Sequence, residues 1–116
     1  IKISGKILNK GCSPLESASI NFWHASPEGY YDSKGFRYRG FQKARSDGSY
    51  DLVTDIPGKY VGRTPHIHVK SIAGKSELTT QLYFPNQPSN DSDYFFDKKL
   101  QMQNTSQGFI FDFIVG

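Results

Sequence analysis

The chain has one cysteine, one methionine, one tryptophan and three histidines among 116 residues. A single Cys12 excludes an intrachain disulfide and any thiolate cluster. It fits an oxidising or a reducing compartment equally, and a surface or half-buried thiol is all that is expected of it. No apolar run approaches the roughly 20 residues of a membrane-spanning helix. Runs of like charge are missing too: 14 basic and 11 acidic residues give a net charge of +3. With a pI of about 9.0, that balance suits an anionic small molecule and is too diffuse for a nucleic-acid partner. Helical periodicity is nearly absent, as are internal repeats and low-complexity linkers.

What the chain does have is aromatic side chains, 15% of residues, with seven Tyr and nine Phe. Such a composition favours strands and a ring-lined pocket over a helical bundle. Short alternating runs follow one another: Ile1–Ile7, Ala18–Trp23, Gly48–Val53, His66–Lys70, Leu78–Phe84 and Phe109–Val115. Turn signals such as Asn9-Lys10-Gly11 and Ser46-Asp47-Gly48 separate them. The expectation is an all-β domain spanning 1–116, an antiparallel sandwich or barrel with long loops around its site. At most one short helix is expected, within Asp91–Met102.

His66-Ile67-His68 is the first chemical signal. Side chains alternate along a strand, so both imidazoles point to one face and can converge on a metal. Alone, the pair also reads as surface or pocket histidines. Arg63, three residues earlier, adds a cation that calls for an anion or a pocket nearby. A third ligand is not obvious, because no cysteine is near and no carboxylate has the spacing of a two-histidine ferrous site. His24, the remaining histidine, reads as a capped, half-exposed residue at a strand end.

Tyrosines are the abundant oxygen donors. Tyr60 follows the turn Pro57-Gly58 just before the histidine strand, and Tyr30 and Tyr31 follow Gly29. A phenol ionises near pH 10, so it binds metal only where a hard, highly charged cation depresses that value. Iron(III) meets the requirement: two phenolates and a hydroxide balance its charge, and two neutral imidazoles complete five-coordination. Each tyrosine taken singly also reads as an edge or core aromatic.

Several blocks, in order, resemble the intradiol ring-cleavage dioxygenases, which include the catechol 1,2- and protocatechuate 3,4-dioxygenases. They are Phe22-Trp23-His24-Ala25 with Gly29-Tyr30-Tyr31-Asp32, Phe36-Arg37-Tyr38-Arg39-Gly40, Ser46-Asp47-Gly48-Ser49-Tyr50, Pro57-Gly58-Lys59-Tyr60, Gly62-Arg63-Thr64-Pro65-His66-Ile67-His68-Val69 and Leu78-Thr79-Thr80-Gln81-Leu82-Tyr83-Phe84. The likeness spans nearly the whole chain. It implies an Fe(III) centre held by Tyr31, Tyr60, His66 and His68, with Tyr31 chosen over its neighbour Tyr30 by its spacing from Trp23. It further implies that Tyr60 is the tyrosinate that leaves when substrate binds, that Arg63 faces the attacked carbon, and that Gln81 stands near the iron. The implied reaction uses O2 to open a catechol between its two hydroxyls, giving a cis,cis-muconate-type dicarboxylic acid.

The chain also departs from the larger members of that family. The 116 residues contain no segment resembling the N-terminal helical domain of the catechol 1,2-dioxygenases. Gly62 stands where protocatechuate enzymes often place tryptophan, so a more open pocket is expected. The pattern looks most like a compact, often exported branch, so a secreted or periplasmic location is expected, with a cytoplasmic one as the alternative. Monomer and homodimer stay open. The competing reading is a non-catalytic transthyretin-like or carboxypeptidase-regulatory-like β-sandwich, which the first half of the chain also resembles.

Overall fold

Period-two alternation decides where the backbone pairs, because each strand must bury one face and leave the other to solvent or loops. The computed structural model describes residues 1–31, 38–59 and 63–115; Tyr60, Gly62, Phe36 and Arg37 lie outside the described residues. Among these there are nine strands: β1 (Lys2–Leu8), β2 (Ser19–His24), β3 (Arg39–Lys43), β4 (Ser49–Val53), β5 (His66–Ala73), β6 (Ser76–Tyr83), β7 (Gln103–Thr105), β8 (Gly108–Ile110) and β9 (Phe113–Ile114). One sheet runs β4-β1-β8-β7, with β9 also on β1; the other runs β3-β2-β5-β6. The all-β sandwich expected from the sequence is therefore present.

Pairing is antiparallel except on one side of β1, which takes β8 and β9 in parallel. The run Phe109–Val115, read as one strand, is thus two short ones. Phe111 and Asp112 step aside between them. There, Phe111 donates its N–H to the Ser4 carbonyl, and Asp112 Oδ1 accepts from Lys6 N at 2.8 Å. The step requires Gly5, since a Cβ on it would lie 1.8 Å from the Phe111 carbonyl oxygen.

Ile3, Ile7, Tyr50 and Phe113 from the first sheet meet Ile20, Phe22, Ile67, Val69 and Leu82 from the second in the core. The Tyr50 hydroxyl donates to the Phe111 carbonyl at 2.7 Å, so even this deeply buried phenol is satisfied. In place of the short helix expected within Asp91–Met102 stand two 3-10 turns, Pro88–Ser92 and Lys98–Leu100. Local side chains explain why no α-helix forms. Asp93 and Asp97 take the backbone N–H groups of Phe95 and Lys99, offering the chain an alternative to helical bonds.

Candidate metal centre

Strand β5 serves two faces. Ile67, Val69 and Ser71 are buried toward the core, while His66, His68 and Lys70 occupy the opposite face of the second sheet. On that outer face the register sets Trp23 and Gln81 on either side of His68, and Tyr83 beside His66. Trp23 stacks on His68 with centroids 5.1 Å apart and planes within 7°. His66 is nonetheless buried, because loops close over this end of the sheet.

One of those loops carries Tyr31. It turns tightly, with Ser26 N donating to Tyr30 O at 2.8 Å and Gly29 N to Ser26 O at 2.9 Å. The loop before Tyr60 crosses it here, Gly58 N donating to the same Ser26 carbonyl at 2.9 Å. Each chain needs a glycine at the crossing. A Cβ on Gly29 would lie 2.3 Å from Lys59 O, and one on Gly58 would lie 2.3 Å from Pro27 O. Gly29 also has a positive φ of 91°, which side-chain-bearing residues rarely adopt.

Three donor atoms converge under these loops. Tyr31 Oη is 3.1 Å from His66 Nε2 and 3.1 Å from His68 Nε2, and the two nitrogens are 3.3 Å apart. The Nδ1–H of His66 donates to the Thr64 carbonyl at 2.8 Å, which leaves its Nε2 lone pair aimed at the cluster. Burial is the main cause that lowers the pKa of His66, and the nearby Arg63 cation adds to it. His68 is lowered to about 4, by burial first and then by His66 and Arg63. Both rings are therefore neutral at pH 7, as metal ligands must be.

This donor set fits a cation. The His66 Nε2 lone pair, His68 Nε2 and the phenol oxygen form a compact nitrogen-and-oxygen set of the kind that binds metal ions. Separations of 3.1 to 3.3 Å are close to the ~3.0 Å expected between donors bound at about 2.1 Å and right angles to one ion. A phenolate oxygen beside two imidazoles suits a hard trivalent ion such as iron(III). Among the described residues no group of three or more His, Cys, Asp or Glu could hold a metal, so the third donor that the described residues place beside the histidine pair is the Tyr31 phenol oxygen.

Arg63 and Gln81 stand beside the three donors and bond each other, Arg63 Nη2 donating to Gln81 Oε1 at 2.7 Å. Arg63 Nε donates to Asp93 Oδ2 at 2.8 Å, and its guanidinium lies 4.9 Å from the Phe95 ring centroid. Among the described residues Nη1 has no hydrogen-bond partner, and the side chain keeps 18% of its surface exposed. The Tyr83 hydroxyl is 2.7 Å from Gln81 Oε1 and 2.8 Å from the Phe95 carbonyl, one of which takes its proton.

Of the six residues singled out from sequence, Tyr31, His66 and His68 form the cluster and Arg63 and Gln81 adjoin it. Tyr60 lies outside the described residues. Tyr30, the rival to Tyr31, is 73% exposed. His24 differs from the half-exposed residue expected: it is buried, with Nδ1 at 2.6 Å from Ala25 O and Nε2 at 2.8 Å from Thr54 Oγ1. Sequence reading missed the roles of Trp23, Thr64, Tyr83 and Asp93. Tyr83 could have been found by its alternation with Gln81 along β6, whereas Asp93 has no local signal.

No protein-family model matches the sequence. It is 30% identical over 108 residues to the protocatechuate 3,4-dioxygenase beta chain of Burkholderia cepacia, a match covering 76% of this chain and 46% of that protein. It is 31% identical over 108 residues to chlorocatechol 1,2-dioxygenase of Cupriavidus pinatubonensis, covering 71% and 42%. The chain thus spans less than half the length of these curated relatives. Among solved structures, one of a dioxygenase domain is 46% identical, with a TM-score of 0.92, covering 97% of this chain and 77% of that one. That domain comes from a dioxygenase carbohydrate-binding protein fusion of the cellulolytic bacterium Streptomyces sp. SirexAA-E.

Proposed function

Because the chain belongs to the intradiol ring-cleavage dioxygenases, we propose that it is a non-haem iron(III) enzyme that uses O2 to cleave catechol-type diols between their hydroxyls, releasing cis,cis-muconate-type dicarboxylic acids. The observation that carries this reading is the convergence of Tyr31 Oη, His66 Nε2 and His68 Nε2 within 3.3 Å of one another. Tyr60 is the fourth protein ligand in this reading. Tyr31, His66, His68 and Tyr60 would hold the iron(III), whose Lewis acidity would draw electron density from a bound catechol ring and make it reactive toward O2.

The chain's own groups supply the rest. The Thr64 carbonyl fixes the His66 tautomer, so its Nε2 presents a lone pair without a proton to lose. A catechol must shed two protons to bind as a dianion; Tyr60 would accept one of them, and the hydroxide of the charge balance would take the other and leave as water. Arg63, with Nη1 free of hydrogen-bond partners among the described residues, would stabilise negative charge at the attacked carbon and its oxygen. Gln81 holds the other guanidinium nitrogen and so limits how the arginine can swing. A non-catalytic sandwich has no use for three convergent donors beside an arginine.

Colour and product test the proposal. Iron-loaded protein is expected to be red to burgundy, from tyrosinate-to-iron(III) charge transfer. Catechol should give an ultraviolet-absorbing muconate-type product. A colourless, iron-replete protein would overturn the ligand assignment, and a yellow extradiol product would overturn the regiochemistry. On the same reading the glycine at position 62, where a bulky side chain would crowd substrate, favours a broad substrate range, and Gly62→Trp is expected to narrow it across a panel of substituted catechols. Export from the cytoplasm belongs to the same proposal, on the likeness to the compact branch, and cell fractionation checks it.

A further inference from the structure

The segment that carries the 3-10 turn Pro88–Ser92 brings one carboxylate against the candidate centre. The Asp93 side chain is fully buried, and its two oxygens receive three donors. Oδ2 accepts from Arg63 Nε at 2.8 Å and from Thr64 N at 2.7 Å, while Oδ1 accepts from Phe95 N at 2.8 Å. One oxygen therefore clasps two consecutive residues with different tasks. Arg63 presents its guanidinium at the site, and the Thr64 carbonyl orients His66 through Nδ1 at 2.8 Å.

The same segment grips Thr64 a second time. Its hydroxyl donates to Asn90 Oδ1 at 2.6 Å, and Asn90 Nδ2 donates to the Phe84 carbonyl at 2.9 Å, just beyond β6. A long, many-jointed arginine held at one end only would sample several rotamers; here Asp93, Gln81 and the Phe95 ring constrain it from three sides. A carboxylate kept only to neutralise a cation would not need the Thr64 peptide as well.

We propose that Asp93 is a positioning residue for ring cleavage: it sets the Arg63 guanidinium and, through the Thr64 peptide, the His66 ring. The inference rests on the ring-cleavage reading given above. Asp93→Asn tests it, because the amide has one oxygen where the carboxylate has two: with nitrogen at the Oδ2 position it confronts both Arg63 Nε–H and Thr64 N–H, and turned over it confronts Phe95 N–H and loses the charge that holds the guanidinium. The iron-loaded variant is expected to keep the tyrosinate band and its anaerobic affinity for catechol, while kcat falls about a hundredfold, the loss typical of a reacting group displaced by about 1 Å. In an Arg63→Ala background the same change should cost much less activity, only the share that Asp93 exerts through the Thr64 peptide and His66.

Wild-type kcat in Asp93→Asn would overturn the inference, as would an equal loss in both backgrounds. A second readout needs no variant to fold. In gallium(III)-loaded, diamagnetic wild type, the Arg63 Nε–H resonance should exchange slowly with solvent, and fast exchange would overturn the inference. A wild type that is colourless with iron and inert to catechol sinks the parent reading and this inference with it. An active wild type with an indifferent Asp93→Asn sinks the inference alone.

Discussion

At the scale of single residues, the two adjacent tyrosines separate cleanly. Tyr31 reaches both imidazoles at 3.1 Å, whereas Tyr30 points outward and is 73% exposed. Tyr30→Phe is expected to leave iron content and the visible band unchanged, with stability within about 0.5 kcal/mol of wild type by urea titration. Tyr31→Phe should weaken the charge-transfer band and lower iron retention on dialysis against a chelator. The histidine pair was legible because period two alone puts residues 66 and 68 on one face. Tyr31 was legible only through its spacing within an ordered set of blocks. Asp93 was not, because nothing in Asn90-Asp91-Ser92-Asp93 says which of four polar side chains will turn inward. That is settled by packing against Arg63 and Thr64, some thirty residues away in the chain.

At the scale of elements, strands with an alternating apolar face were readable and those without one were not. The starts of β1, β2, β4, β5 and β6 follow Ile, Phe, Tyr, Val and Leu placed at every second position. β3 escaped because Arg39-Gly40-Phe41-Gln42-Lys43 is a mostly polar edge strand, and β7 because three residues carry too little pattern. The break between β8 and β9 depends on a backbone crossing at Gly5 that no periodicity encodes. Gly5→Ala would drive a methyl into the Phe111 carbonyl and should cost at least about 3 kcal/mol in chemical denaturation. Gly58→Ala meets Pro27 O at the other crossing. It should cost about 1–3 kcal/mol and also weaken iron binding, since the disturbed loops lead directly to Tyr31 and Tyr60. Loss of stability without loss of iron affinity would show that the crossing does not register the ligands.

At the scale of the molecule, the buried histidine outside the site predicts a pH dependence. Burial holds the pKa of His24 below the usual histidine value, outweighing the Ala25 carbonyl and Asp55, which both raise it. The unfolded chain therefore takes up this proton first, near pH 6.5. The stabilisation is fully present above that pH and falls away as pH drops toward the lower folded value. The urea midpoint should thus decline between pH 7 and 5, and His24→Gln should flatten the decline over that window. An unchanged slope in the variant would assign the acid sensitivity elsewhere.

The division of β5 between core and centre has an evolutionary consequence. Substitutions at 67, 69 and 71 are filtered by packing, and those at 66 and 68 by chemistry, so each set can drift without consulting the other. A one-residue insertion inside the strand abolishes that independence. It would turn Ile67 and Val69 toward the donors and bury two imidazoles among aliphatic side chains, ending stability and chemistry together. Length changes in this lineage should accumulate in the loops and spare β5.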